Sequence, residues 1–342
     1  MRIFEIAEYK TELKELLASV DLGFLRGKTL LISGASGLVM SYLIDALLCN
    51  KELNVRIHAI TSSGGAKARF PSDPRLSFVV GDVRDAKTFE GCEGYDYVIH
   101  AASITDPKGY ATKPIDTMLI NIEGTKNLLD IAERCGARFL LISSCEVYGE
   151  SDIEPIPENY CGKLDSMDVR SCYNESKRAC ETLCVSYAKQ KGADVVVARL
   201  SRIFGPTMSL KDTKALSQFL LCAANHAAVV MKSNGKQRYS YTYVADAVSG
   251  ILCLLKKGIC CQAYNVCNSE ALSLKEVAEI VAKEGGVDLR MDLSHDPLSQ
   301  GGYTRTVNAI QSSSKLKTLG WATAYTLEQG IRSTLAVLRK LL

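Results

Sequence analysis

Lys28-Thr29-Leu30-Leu31-Ile32-Ser33-Gly34-Ala35-Ser36-Gly37-Leu38-Val39-Met40 is the stretch on which the fold turns. Its first six residues read as a short buried strand, and the apolar run over 38–49 reads as a helix. Two glycines sit in the turn between them. A glycine turn that leaves a buried strand and opens a helix lets the backbone approach a pyrophosphate, whose charge is met by free N–H groups at the helix N-terminus. Gly34, Ser36, Gly37 and Leu38 are therefore candidate dinucleotide contacts; the alternative is a tight turn with no ligand. The third glycine of the usual fingerprint is Met40 here, a change that bears on helix–strand packing more than on binding.

Outward from this turn, short apolar runs at 55–60, 76–80, 97–100, 138–143 and 194–200 read as further strands, and 115–135 and 173–190 as long helices. Strands that alternate with helices imply a parallel sheet covered on both faces. After Phe204-Gly205-Pro206 the alternation stops. The chain thus divides into an N-terminal helical extension (1–27), a nucleotide-binding domain (28–200) and a smaller, mainly substrate-binding domain (201–342) interleaved with it. The extension carries an amphipathic helix over 3–20, read as a lid or as packing.

With 342 residues, 47% apolar and 23% charged, the composition is that of a globular protein. A net charge of +3 gives no footprint for nucleic acid or a membrane surface. No apolar run approaches the ~20 residues of a membrane span, and the charged N-terminus does not read as a signal peptide. The 13 cysteines lack zinc-like spacing. They read as reduced thiols, which fits a cytoplasmic location and no metal.

The end of the second strand, Ile60-Thr61-Ser62-Ser63, carries no acid for an adenosine ribose, and Lys67 and Arg69 follow. NAD and NADP both stay open. Asp82 in Gly81-Asp82-Val83 can accept from the adenine amino group; the alternative is a turn or a helix cap before 86–90.

Tyr173-Asn174-Glu175-Ser176-Lys177 opens a helix, and residues i and i+4 share a helix face. A lysine there holds its ammonium near the phenol. Tyrosine titrates near ~10, so a base working near neutrality needs a shift of about 3 units, or about 4 kcal/mol. A neighbouring cation and a positive nicotinamide are the means to it. Upstream, Phe139 to Gly149 runs through Ser143-Ser144-Cys145-Glu146, and the C-terminal end of such a strand is where an open α/β sheet places ligands. Ser144 can share a sugar hydroxyl's proton with Tyr173. Glu146 is a carboxylate one step further in, or an exposed loop charge.

Taken in order, these motifs, with His100-Ala101-Ala102-Ser103, Asn121, Phe204-Gly205-Pro206 and Tyr243-Val244-Ala245-Asp246, resemble the extended short-chain dehydrogenase/reductase family over nearly all of 28–342. The resemblance implies an α/β fold, a Rossmann-like doubly wound parallel sheet with a smaller mixed α/β C-terminal substrate domain. It implies an NAD(P)-dependent enzyme, a lyase or isomerase, that modifies a nucleotide-linked sugar through transient oxidation at C4. It adds Val83, Ala101, Ala102, Ser103, Asn121 and Ser143 to the cofactor contacts. Tyr173 becomes the base, Lys177 its electrostatic partner and Ser144 the hydrogen-bonding third member. A homodimer packed through the helices over 115–135 and 173–190 is also implied.

Within the family, 4,6-dehydratases carry an Asp-Glu pair after the position of Ser144, galactose-type epimerases no Glu, and UDP-glucuronate decarboxylases a serine and then a Glu. Cys145-Glu146 is nearest to the last, which makes decarboxylation the leading expectation. Dehydration, 4-epimerisation, a net reductase or dehydrogenase of a related sugar or polyol, and a non-catalytic NAD(P)-binding regulator are the alternatives. The chain departs from the decarboxylase pattern at three places. Cys145 replaces the serine, Arg202 an asparagine before Phe204-Gly205-Pro206, and Tyr239 an arginine, with Arg238 beside it. Arg202, Arg238, Tyr239 and Arg305 are the expected substrate contacts, since arginine binds phosphate or carboxylate oxygens in pairs.

Overall fold

The computed structural model describes residues 2–294 and 308–342. The elements, in chain order, begin with α1 (Ala7–Ser19), β1 (Thr29–Ser33), α2 (Leu38–Cys49), β2 (Arg56–Thr61), β3 (Leu76–Val80), β4 (Tyr97–His100), α3 (Pro107–Thr112), α4 (Pro114–Cys135) and β5 (Arg138–Ser144). They continue with α5 (Ser171–Lys191), β6 (Val195–Leu200), β7 (Arg202–Phe204), α6 (Ala215–Ala224), β8 (Val229–Met231), β9 (Arg238–Tyr243) and α7 (Val244–Lys257). The last are β10 (Gln262–Val266), β11 (Ala271–Ser273), α8 (Leu274–Gly285), β12 (Leu289–Met291), β13 (Asn308–Ala309), α9 (Ser314–Lys317) and α10 (Leu327–Leu341).

Seven strands form one parallel sheet in the order β10-β6-β5-β4-β1-β2-β3. The order reverses beside β1, between β2 and β4, and a crevice opens there at the C-terminal strand ends. Every residue of β1 is buried, as a central strand covered on both faces requires. The sheet and its helices are the Rossmann-like doubly wound fold. One strand was not among those expected: β10, from the C-terminal third, pairs with β6 at the sheet edge. Its run Gln262-Ala263-Tyr264-Asn265-Val266 mixes polar and apolar residues and follows no helix–strand rhythm, so the sequence pattern did not mark it.

A second sheet carries the far wall of the crevice. β9 lies at its centre, with β11, β13 and β7 paired to it. β7 follows β6 after a single residue, so the wall is tied directly to the main sheet.

The N-terminal helix is packing and not a lid. Its Glu12 is 5% exposed and accepts from the Tyr42 hydroxyl at 2.5 Å, the Tyr243 hydroxyl at 2.7 Å and the hydroxyl of Ser333. A buried carboxylate with several donors satisfies its lone pairs, and these ties fasten α1 to α2, β9 and α10.

Candidate active site

The crevice is a cleft of about 770 Å³ between the C-terminal edge of the main sheet and the β7–β9 wall. The glycine turn forms one end. Gly34 has φ +68°, and a Cβ there would lie 2.7 Å from the carbonyl of Ala101 and 2.8 Å from the amide nitrogen of Ala102. Only glycine allows this approach. Ser33 fixes the two strand ends to each other. Its hydroxyl oxygen accepts from the amides of Ala101 and Ala102 at 3.1 and 3.2 Å and donates to Nδ1 of His100 at 2.7 Å. Burial, then the nearby Lys177 charge, push the His100 imidazolium down to about 3, so the ring is neutral. Met40, in the place of a third glycine, is 1% exposed in the core behind α2. The loop keeps its shape with a side chain there.

The cleft wall includes Gly34, Ser36, Gly37 and Leu38, then Thr61, Asp82 and Val83, then Ala101, Ala102 and Ser103. These fit a dinucleotide, because the backbone cradle at Gly34 and Gly37 leads to the free N-terminus of α2. Asp82 is not free. Arg84 donates to it from Nε at 3.0 Å and from Nη2 at 2.6 Å, and also pairs with Asp116 of α4 at 2.7 Å. The Arg84 hydrogen bond holds the Asp82 carboxyl below its ordinary range. The cap of the short helix at 86–89 is Asp85, which accepts from the amide of Lys87 at 3.0 Å. Of the two cations after β2, Arg69 is turned away from the cleft and paired with the buried Asp45 at 3.0 Å.

At the other end stand the serine strand and the Tyr-Lys helix. Tyr173, Lys177, Ser143, Ser144, Cys145 and Glu146 all line the cleft. Lys177 is 2% exposed and donates to the Ile142 carbonyl at 2.9 Å, with its Nζ 5.8 Å from the Tyr173 ring centroid. Burial pulls the ammonium below its ordinary value. Burial pushes the Tyr173 phenol well up, against a downward pull from its hydrogen bond with Ser144, while the Glu146 charge adds to the rise. The direction is opposite to the lowering that a base needs, so protein groups alone do not activate this tyrosine. Ser143 donates to Glu181 at 2.6 Å, which leaves its oxygen as the group facing the cleft. Asn121 is not on the cleft wall. It is fully buried and donates to Ser176 at 2.8 Å, which ties α4 to the second turn of α5.

Glu146 is neither a loop charge nor a free carboxylate. Arg170, at the start of α5, meets it at 2.9 Å, and Arg202 of β7 meets it at 3.5 Å. Arg170 also donates to Asn174 at 2.7 Å and lies 4.7 Å over the ring of Tyr110, which in turn stacks on Tyr173. Arg202 lies 3.7 Å over the ring of Tyr239. Cys145 is 6% exposed, and burial, helped by Glu146, pushes its thiol up to about 11.

Arg238 does not reach the cleft. It points out and pairs with Glu154 at 3.2 Å, whereas Tyr239 and Tyr241 line the cleft. Arg305 lies outside the described residues. Arg170, Tyr110 and Tyr241 were not among the expected site residues. Arg170 had a signal, since Arg170-Ser171-Cys172-Tyr173 is part of the decarboxylase-like run; Tyr110 and Tyr241 carried none.

A glycine cradle at a sheet reversal, with a tyrosine, lysine and serine at its far end, defines a dinucleotide-dependent oxidoreductive site. The sequence profile of the NAD dependent epimerase/dehydratase family matches residues 30–267. The chain belongs to that family of NAD-dependent nucleotide-sugar enzymes. It is similar to UDP-glucuronic acid decarboxylase 1 of Xenopus tropicalis, with 31% identity over 318 residues, 92% of this chain and 72% of that protein. UDP-glucuronic acid decarboxylase 5 of Arabidopsis thaliana is 35% identical over 254 residues, 74% of this chain and 73% of that one. In fold it matches the dTDP-glucose 4,6-dehydratase DesIV of Streptomyces venezuelae, solved with NAD and TYD bound, at TM-score 0.79 and 23% identity, over 91% of this chain and 97% of that one. Among the described residues no helix is long and apolar enough to cross a membrane.

Proposed function

We propose that the protein decarboxylates UDP-glucuronate to a UDP-pentose. The observation that carries this reading is the pairing at positions 145 and 146. Water elimination needs an acid beside Glu146, and position 145 offers a thiol held near 11, protonated but too weak an acid to deliver its proton readily at neutral pH. The cleft instead aims two guanidinium groups at one carboxylate, a surplus of positive charge suited to an anionic sugar. The similarity to the decarboxylases supports the same choice.

NAD, when bound, supplies the hydride acceptor at the sugar C4 and returns that hydride at the end. Gly34, Ser36, Gly37 and Leu38 would hold its pyrophosphate, Thr61 and Asp82 its adenosine end, and Tyr173 and Lys177 its nicotinamide ribose. Tyr173 takes the C4 hydroxyl proton, with Ser144 hydrogen-bonded to the same oxygen. The resulting 4-keto acid has a carboxylate β to a ketone, so the bond to carbon dioxide breaks with its electrons delocalised into the carbonyl. Tyr173, now protonated, donates to the 4-oxygen as the enolate forms. C5 then takes a proton from solvent while the enol proton returns to Tyr173, and Tyr173 gives that proton to the 4-oxygen when C4 is reduced. The oxidation and the reduction cancel, so no net reductant is consumed.

The exposed Ile115 and Leu119 of α4 and Val185 of α5 support assembly as a homodimer across these helices. The 13 free thiols support a reducing, cytoplasmic setting. The test of function is incubation with UDP-glucuronate and NAD, with the product mass read directly. Loss of carbon dioxide supports the reading. Loss of water, or a product of unchanged mass, replaces it with dehydration or epimerisation.

A further inference from the structure

Two of the chain's departures from the decarboxylase pattern touch each other. In that pattern an asparagine stands at the position of Arg202 and an arginine at the position of Tyr239. Here the arginine is on β7 and the aromatic ring on β9. The two strands are paired, with Arg202 in register with Tyr241, and Tyr239 lies two residues further along β9 on the same face. The guanidinium of Arg202 lies 3.7 Å over the Tyr239 ring. Both side chains line the cleft wall.

The remaining bonds of Arg202 show what this cation is free to do. Arg170 is held at short range by Glu146 at 2.9 Å and by Asn174 at 2.7 Å, and it lies over the Tyr110 ring. Arg202 is held more loosely. Its ion pair with Glu146 is long at 3.5 Å, and its Nε, like that of Arg170, has no hydrogen-bond partner among the described residues. Its side chain keeps 30% of its surface exposed, and it lines the cleft. A guanidinium held over a ring still presents a planar fork of N–H donors, which can meet a carboxylate through two parallel hydrogen bonds. Glu146, already held by Arg170, can release Arg202 without being left unpaired.

We propose that Arg202, held over the Tyr239 ring, binds the C5 carboxylate of the sugar and sets the preference for a uronate over a neutral hexose. The inference rests on the decarboxylase reading for its substrate. On substrate binding, the Arg202 guanidinium exchanges its long pairing with Glu146 for the substrate carboxylate.

The test compares the wild type with Arg202→Asn, Tyr239→Arg and the double variant that restores both positions, all loaded with NAD. Binding of UDP-glucuronate and of UDP-glucose is measured by calorimetry. Arg202→Asn should weaken UDP-glucuronate by at least about tenfold, as loss of a charge-assisted hydrogen-bond pair implies, and leave UDP-glucose within about twofold. Tyr239→Arg sets two cations side by side and should also impair uronate binding. The double variant should recover at least about a third of the affinity lost by Arg202→Asn, because a cation is again present on the wall. Arg202→Lys keeps charge but not the fork, and it should fall between wild type and Arg202→Asn; it also serves if the asparagine variant fails to fold. Equal losses for both ligands, no preference for the uronate in the wild type, or a double variant no better than Arg202→Asn would overturn the inference. A wild type that prefers UDP-glucuronate but releases no carbon dioxide would sink the decarboxylase reading alone.

Discussion

The ring of Tyr110 stacks on the ring of Tyr173, with centroids 5.0 Å apart and planes at 28°. Tyr110 comes from α3, in the connection between β4 and α4, and the Arg170 guanidinium lies 4.7 Å from its ring centroid. The phenol that the chemistry needs is therefore backed by a ring that a cation also holds. Stacked aromatic pairs contribute about 0.5–1.5 kcal/mol beyond buried area. Tyr110→Phe keeps the stack and should leave kcat within about threefold. Tyr110→Ala should lower kcat by about tenfold, the rate equivalent of about 1.4 kcal/mol, while leaving the Kd of NAD nearly unchanged. Steady-state kinetics with a cofactor titration check both, and equal losses in the two variants would refute the positioning role.

Cofactor choice follows from a contact behind α2. Arg69 pairs with Asp45, which is fully buried and also accepts from Tyr9 at 2.8 Å. An arginine held there is not free for a ribose 2′-phosphate. Lys67 remains, with its ammonium 5.7 Å from the Phe78 ring centroid. NAD should bind at least about tenfold more tightly than NADP, since the extra phosphate gains no guanidinium fork. Fluorescence titration with both cofactors decides it, and comparable affinities would show that Lys67 suffices.

The sheet and the Tyr173–Lys177 helix were legible because each is written in neighbouring residues. A buried strand, a glycine turn and an i, i+4 pair need no tertiary knowledge. The grip on Glu146 was not legible in that way. Arg170, Glu146 and Arg202 come from the start of a helix, the turn after β5 and a three-residue strand, and only the fold brings them together. The misplacement of Arg238 has a simpler cause. Arg238 and Tyr239 are adjacent in β9, and adjacent strand residues face opposite sides. The family resemblance marked both as candidates, but the pleat sends Tyr239 into the cleft and Arg238 out to Glu154.

Cys145 stands in the middle of the site and should nonetheless be chemically quiet. Its thiol is held at about 11 by burial, so at pH 8 only about one molecule in a thousand carries the reactive thiolate. Cys161, Cys260 and Cys261 are exposed. Iodoacetamide at pH 8 should modify these three and spare Cys145, as read by peptide mass. Rapid loss of activity with label on Cys145 would show that its environment lowers the thiol instead.

Asp246 gives a stability prediction with a defined sign. It is 2% exposed in the first turn of α7 and accepts from the amides of Ala324 and Tyr325 at 2.7 and 3.3 Å. Burial outweighs these bonds and raises its carboxyl from the ordinary 3.8 to about 6. Below pH 3.8 the group is protonated in both the folded and unfolded chains, and its contribution is fully present. Between 3.8 and 6 the unfolded chain gives up the proton while the folded chain keeps it, so stability falls. Above 6 both forms are charged and the loss is complete, at about 3 kcal/mol for a shift of roughly two units. Other carboxylates pull the opposite way, so the measurement is a difference. Denaturant unfolding of wild type and Asp246→Asn should be compared from pH 4 to pH 7.5. The wild type should lose stability relative to the variant across that range, whatever the variant's offset at pH 4. A constant difference would mean that Asp246 titrates normally, and that the two backbone amides offset the cost of burying its charge.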